Sequence, residues 1–241
     1  MILQSTPDWL LAPHYLGWLW HGFLITLWLS ACCAVAATLL GLALASSRDS
    51  AIAPLRGLVI AYSSLFRDTP LLVQLFFWYF AAGQILPAGM MQWLNTPHSW
   101  GGLSWPSFEF LAGFIGLTLY SGAFIAEELR SGIRGVARGQ KQAALALGLT
   151  GWQSMRYVVL PQALKIAFSP LSGQYMNLIK NSSLTMAIGV AELSYASRQV
   201  ETETLRTFQA FGVATILYIA SIALIEAWSM WYQQRKPGGE R

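Results

Sequence analysis

Residues 139–161 read GQKQAALALGLTGWQSMRYVVLP, and the fold follows from how this stretch is built. Gln140 to Leu147 is a run of good helix formers. Gly148 stands where a left-handed C-terminal cap would fall, since a residue without Cβ takes that conformation at little steric cost. Thr150, with Gln153 one turn later, opens a second helix through a capping box. Pro161, which lacks an N–H, is expected to close the unit. The stretch therefore predicts two short helices with a corner between them. Ala143 and Ala144 are expected to form a paired small-residue face that another protein's backbone can approach. Arg130, Arg134, Arg138, Lys141, Arg156 and Lys165 flank the corner, which places residues 130–161 on the cytoplasmic side of any membrane the neighbouring runs cross.

Those runs dominate the chain. Of its 241 residues 55% are hydrophobic and 11% charged, and the mean hydropathy is +0.46, too apolar for a soluble globular domain. Several uncharged stretches approach the roughly 20 residues needed to cross a bilayer. The net charge of +4 does not imply nucleic acid. Arg48, Arg56, Arg235, Lys236, Arg241 and the six cations named above fall in loops or at span ends that alternate onto one side. Cys32 and Cys33 are adjacent and are the only cysteines, which excludes a disulfide framework and a Cys-based metal site. His21 has no second ligand in its segment and reads as an interfacial polar residue, so no metal is expected. The N-terminus lacks a positively charged start, and no cleaved signal peptide is expected.

Residues 1–16 carry Asp8 and no Lys or Arg, which places them outside. A first span runs from about Leu19 to Ala45, with Ala31, Ala34, Ala36, Ala37 and Gly41 permitting close helix packing. A second begins at Pro54 and Arg56 and reaches about Leu86, interrupted by Phe66-Arg67-Asp68-Thr69-Pro70. Residues 87–107 read as an external loop, and a third span follows from about Phe108 to Glu128, with Glu127 and Glu128 expected to pair with nearby arginines. A fourth starts near Pro161 or Ile166 and continues to about Tyr195, broken at Lys180-Asn181-Ser182-Ser183. Arg198, Glu201, Glu203 and Arg206 read as an external loop, and a fifth span from about Phe208 to Tyr232 leaves the C-terminus inside. The expectation is an all-α integral membrane protein of about five spans, N-terminus outside and C-terminus inside, forming a single domain over residues 1–241.

Two of these spans are interrupted, and each interruption carries a cation. Pro70 removes a backbone donor and disfavours helical geometry at Thr69. With entry at Leu55, Arg67 lies about 18 Å along its helix at 1.5 Å per residue, near the midplane, where a charge costs roughly 2.5 to 3.5 kcal/mol and needs a partner or a task. Lys180 is expected at similar depth. Broken helices inside a bilayer are tolerated where they face protein or a water-filled cavity, and half-helix ends with nearby cations suit an anionic group. Arg67, Asp68, Thr69, Lys180, Asn181, Ser182 and Ser183 are therefore candidate pathway residues, against the plainer reading that Arg67 pairs with a carboxylate and Lys180 satisfies backbone carbonyls. The chain contains none of G-x-x-x-x-G-K-[ST], H-E-x-x-H, C-x-x-C or G-x-S-x-G, and no catalytic role is expected.

The 139–161 stretch resembles the cytoplasmic loop of permease subunits of bacterial ATP-binding-cassette importers, whose pattern is Glu-Ala-Ala, three residues, Gly, nine residues, Ile-x-Leu-Pro. The spacing holds from Gln142-Ala143-Ala144 through Gly148 to Val158 and Leu160-Pro161, with Gln142 in place of Glu and Val158 in place of Ile. FRDTPLLVQLFFWYF and NLIKNSSLTMAIGVAELSYASRQ are similar to strings in the polar amino-acid family, and YLGWLWHGFLITLWLS to glutamate/aspartate permeases. Asn181, beside Lys180, stands where that family often has an acidic residue, which tilts the expected substrate toward acidic or neutral amino acids, whereas Asp68 stands where the family usually has Gly and would neutralise Arg67. The resemblance implies a multi-pass subunit of the inner membrane that lines the pathway for a polar amino acid. It implies partners: a pair of cytoplasmic ATPases gripping the loop around Gly148, a second permease, and an external binding protein. It implies no cofactor, since ATP hydrolysis would belong to the partner. A permease for glutamine or a basic amino acid, or a carrier working without ATP, are the alternatives.

Overall fold

The computed structural model describes residues 11–48, 50–96, 99–100, 103–104 and 107–235. Among these, helix is almost the only regular structure. Helix α1 spans Pro13–Ser47, with proline at its first position, where a missing N–H costs nothing. Helices α2 (Ala53–Asp68) and α3 (Leu71–Ile85) follow, then α4 (Ala88–Asn95) and a two-residue antiparallel pairing of Ser99–Trp100 with Leu103–Ser104. Helix α5 covers Phe108–Gly135, α6 Arg138–Ala146 and α7 Gly151–Ser154. A π-helical turn at Met155–Val159 leads into α8 (Leu160–Ser182), and a 3-10 segment at Ser183–Ile188 precedes α9 (Leu193–Thr204) and α10 (Thr207–Gln234). Helices α1, α5 and α10 are long and apolar enough to cross a membrane. At 1.5 Å per residue α1 is about 52 Å long, well beyond a hydrocarbon core of about 30 Å, so it must tilt or protrude.

Three expectations of the sequence are corrected. Residues 87–107 include the helix α4. Residues 198–204 are not a loop but the second half of α9, which ends at Thr204 and is capped by Leu205, a left-handed residue with φ 55°. Pro161 does not close the corner unit, because it lies in the first turn of α8, continuous through the π turn with α7. The π turn explains the tolerance: the N–H of Leu160 reaches back five residues to the Met155 carbonyl, a register shift just ahead of the proline.

The chain forms two compact units: Met1–Cys33, Pro70–Leu117 and Leu178–Ile225 in the first, Ala34–Thr69, Thr118–Asn177 and Glu226–Arg241 in the second. In the first, Leu11, Leu19 and Phe23 pack with Leu193, Ala196 and Val200 of α9 and Ala210 and Ala214 of α10. Gly22 lets α1 and α9 meet, since a Cβ there would lie 2.8 Å from that of Ala196 and 3.0 Å from the Glu192 carbonyl oxygen. Cys33 is buried with its thiol 3.7 Å from the Phe114 carbonyl, and neither cysteine forms a disulfide among the described residues. In the second unit Ala37, Ile125 and Leu129 make one cluster and Val136, Val159 and Ala163 another. There the close approach is at Gly132, where a Cβ would sit 2.5 Å from the Ala163 carbonyl oxygen. Such small-residue contacts suit helices that gain nothing from burial against lipid.

Candidate functional site

The corner is built as its sequence dictates. Helix α6 ends in a Schellman motif: Gly148 has φ 83°, its N–H bonds the Leu145 carbonyl at 3.0 Å, and the Leu149 N–H bonds that of Ala144 at 3.2 Å. Thr150 then starts α7 with a complete capping box, its Oγ1 accepting from the Gln153 N–H at 3.3 Å while Gln153 Oε1 accepts from the Thr150 N–H at 2.8 Å. The expected alanine pair is not presented as a pair. Ala143 is exposed but Ala144 is buried, because neighbours on a helix point about 100° apart. What the corner offers instead is Leu147, 84% exposed, and Trp152, 71% exposed, with Gln142, Gly148, Leu160 and Pro161 also exposed and Val158 half-buried. Two large apolar side chains amid Arg138, Lys141 and Arg156 were the signal for this surface.

The first interruption belongs to the second unit. Thr69 is extended (φ −106°, ψ 141°), as a residue before proline should be, and its hydroxyl donates to the Leu65 carbonyl at 2.6 Å, satisfying one orphan of the α2 terminus. Arg67 is not an isolated intramembrane charge. Its guanidinium lies 3.8 Å from Glu127 and 5.5 Å over the Phe124 ring. Glu127 also pairs with Arg130 at 3.0 Å and Arg134 at 2.6 Å, so one carboxylate faces three guanidiniums and the cluster is cationic. Arg67's partner is thus Glu127 rather than Asp68. Glu128 accepts from Gln174 at 3.1 Å and has no arginine ion pair among the described residues.

The second interruption belongs to the first unit. Helix α8 runs through Lys180 and Asn181 and ends at Ser182, so the break begins at Ser183, three residues later than the sequence suggests. Ser182 is fully buried and its hydroxyl donates to the Ile179 carbonyl at 2.7 Å; that of Ser183 donates to the Lys180 carbonyl at 2.6 Å. Both hydroxyls serve the helix end. Lys180 is exposed, and its ammonium has no ion pair among the described residues. Gly189, at φ 89°, turns the chain out of the 3-10 segment.

A residue the sequence reading passed over stands just beyond. Glu192 is fully buried at the N-cap of α9. Its carboxylate accepts from the Tyr195 N–H at 2.9 Å, Tyr218 Oη at 2.7 Å and Thr26 Oγ1 at 3.2 Å, while Thr26 Oγ1 accepts from the Leu193 N–H at 3.1 Å. The group joins α1, α9 and α10, and these hydrogen bonds offset the large cost of taking a carboxylate out of water. Its signal was plain, a lone acid in the apolar string MAIGVAELSY. Among the described residues no three His, Cys, Asp or Glu side chains converge as a metal site.

Residues 37–236 match the family model described as the inner membrane component of binding-protein-dependent transport systems. The glutamate/aspartate import permease protein GltJ of Escherichia coli K12 is 34% identical over 212 residues, 88% of this chain and 84% of its own. The probable glutamine ABC transporter permease protein GlnM of Bacillus subtilis is 36% identical over 198 residues, 82% of this chain and 83% of its own. A solved amino acid ABC transporter with histidines superposes at TM-score 0.79 and 29% identity over 96% of this chain and all of that one.

Proposed function

The chain belongs to the family of inner-membrane components of binding-protein-dependent transport systems, and from that premise we propose that it is the pathway-forming permease of an ATP-driven importer for polar L-amino acids, acidic ones foremost. The observation that carries this reading is the corner at Gly148, a rigidly capped turn that offers Leu147 and Trp152 amid cationic side chains. In this reading the corner faces the cytoplasm and seats one of a pair of ATPases, through Gln142, Ala143, Gly148, Val158, Leu160 and Pro161, with Ala144 supporting it from within. The chain crosses a bacterial inner membrane about five times, N-terminus outside and C-terminus inside, as one permease domain. A second permease completes the pathway, and an external binding protein delivers the substrate. Closure of the ATPases on ATP moves the corners and turns the pathway outward.

Substrate selection rests on the two interruptions. Lys180, exposed and without an ion pair among the described residues, offers an ammonium to a carboxylate, with Asn181 as a neutral neighbour. Arg67, beside Asp68 and Thr69, adds the edge of a cationic cluster. Ser182 and Ser183 shape this part of the pathway through the helix end rather than by their hydroxyls. One observation favours a second reading: Glu127 offsets Arg67, which suits a neutral amide side chain such as glutamine, the substrate named for the Bacillus subtilis relative. The test is ATP-driven uptake by the whole complex in proteoliposomes with glutamate, aspartate and glutamine in competition. Glutamate and aspartate competing best supports the acidic reading, glutamine competing best supports the amide reading, and uptake that persists without ATP refutes the importer.

A further inference from the structure

Glu226 lies in the apolar last third of α10, eight residues before its end at Gln234, or about 12 Å along the axis. It is exposed, and it makes no ion pair or hydrogen bond among the described residues. The helix is pinned beside and behind Glu226: Ser229, one turn on, donates from Oγ to Ser172 Oγ at 3.1 Å, and Trp228, on the far side, packs against Phe168, so the helix is not free to rotate about its axis. The nearest cation in sequence is occupied, Arg235 lying 4.2 Å over the Trp231 ring. At helical spacing Ala223 and Met230 share the face of Glu226 and Ala227 borders it, and all are exposed. Lipid tails offer a carboxylate nothing, whereas flanking alanines let another helix come within reach of one.

We infer that this face of α10 is the contact for a membrane-spanning helix of the partner permease, and that this helix carries a lysine or arginine at the depth of Glu226. The occupant is not α10 of a second copy, because a two-fold contact there would set Glu226 against Glu226 in a low-dielectric setting. The inference rests on α10 being a span and on the importer having a second permease.

The test uses the intact complex in its native membrane, with a photo-crosslinking amino acid at Ala227 or Met230 and Glu226 unchanged. The expected adduct is a peptide from a span of another permease chain, with Lys or Arg within one turn of the crosslinked residue. Adducts to lipid alone, to the α10 peptide of a second copy, or to a span without a cation overturn the inference. Glu226→Lys should lower recovery of the partner permease by about tenfold while the ATPase still co-purifies, and a Lys→Glu or Arg→Glu change at the mapped cation should restore it. Wild-type recovery in Glu226→Lys overturns the contact. Labelling of Glu226→Cys by a membrane-impermeant maleimide would put the position in water and overturn the premise that α10 spans, independently of any failure of the partner reading.

Discussion

Substituting Gly148 separates two explanations of why a glycine stands at the corner. A Cβ added there meets nothing within 4 Å, so no packing inside the chain is lost and the cost is conformational. With φ at 83°, an L-residue such as alanine pays roughly 1 to 2 kcal/mol to hold the left-handed geometry, a factor of about 5 to 30 in the population of the capped corner. Asparagine, which visits that region more readily, should cost less. If the ATPase engages only the capped corner, ATP-driven uptake should fall in the order Gly148, Gly148→Asn, Gly148→Ala, with Gly148→Asp lowest because it adds a charge to the docking surface. Protein in the membrane should stay constant across the series, and recovery of the ATPase with the tagged permease should follow uptake. Wild-type uptake in Gly148→Asp would refute docking at this surface. Equal losses for asparagine and alanine would refute the conformational argument and leave simple bulk.

Replacing Gly132 with valine forces a side chain against the Ala163 carbonyl and should lower stability by about 1 to 3 kcal/mol, read as a lower melting midpoint in detergent, whereas Gly139→Ala, with open space around it, should not. Glu192→Ala removes the acceptor that caps the Tyr195 N–H and the one 2.7 Å from Tyr218 Oη and should cost about 1 to 3 kcal/mol, with Glu192→Gln recovering part of the loss in the same assay. Lys180→Ala should raise the substrate concentration needed for half-maximal uptake while the ATPase still co-purifies, and an unchanged concentration dependence would make Lys180 structural.

Local chemistry was legible in the sequence, and long-range chemistry much less so. The Gly148 cap, the Thr150 capping box and the break at Thr69-Pro70 each rest on a few neighbouring residues, and each stands in the structure as read. Pro161 failed as a terminator because the π turn before it shifts the hydrogen-bond register, a feature that no residue type announces. The 198–206 segment looked like a loop because its charges were counted without its period: Leu193, Ala196 and Val200 recur on one buried face. Burial also decided what the corner presents, since Ala144 turns inward and Leu147 outward.

The candidate site divides along the same line. Cations were conspicuous in the sequence because they interrupted apolar runs, yet the structure gives the two of them unlike surroundings. Arg67 shares Glu127 with Arg130 and Arg134, so its charge is partly offset and belongs to a network that also fixes α5. Lys180 stands without an ion pair among the described residues at the end of α8, where the carbonyls around it are already served by Ser182 and Ser183. A lysine that neither pairs nor caps has no structural task to explain its position. The same reasoning applied to the acids sorts them oppositely: Glu192 is fully hydrogen-bonded and therefore architectural, whereas Glu226 is exposed on an apolar helix, which is why the partner contact is proposed there. Partner count separates the residues that hold this chain together from those the proposals assign to a substrate or another chain, and sequence position alone does not.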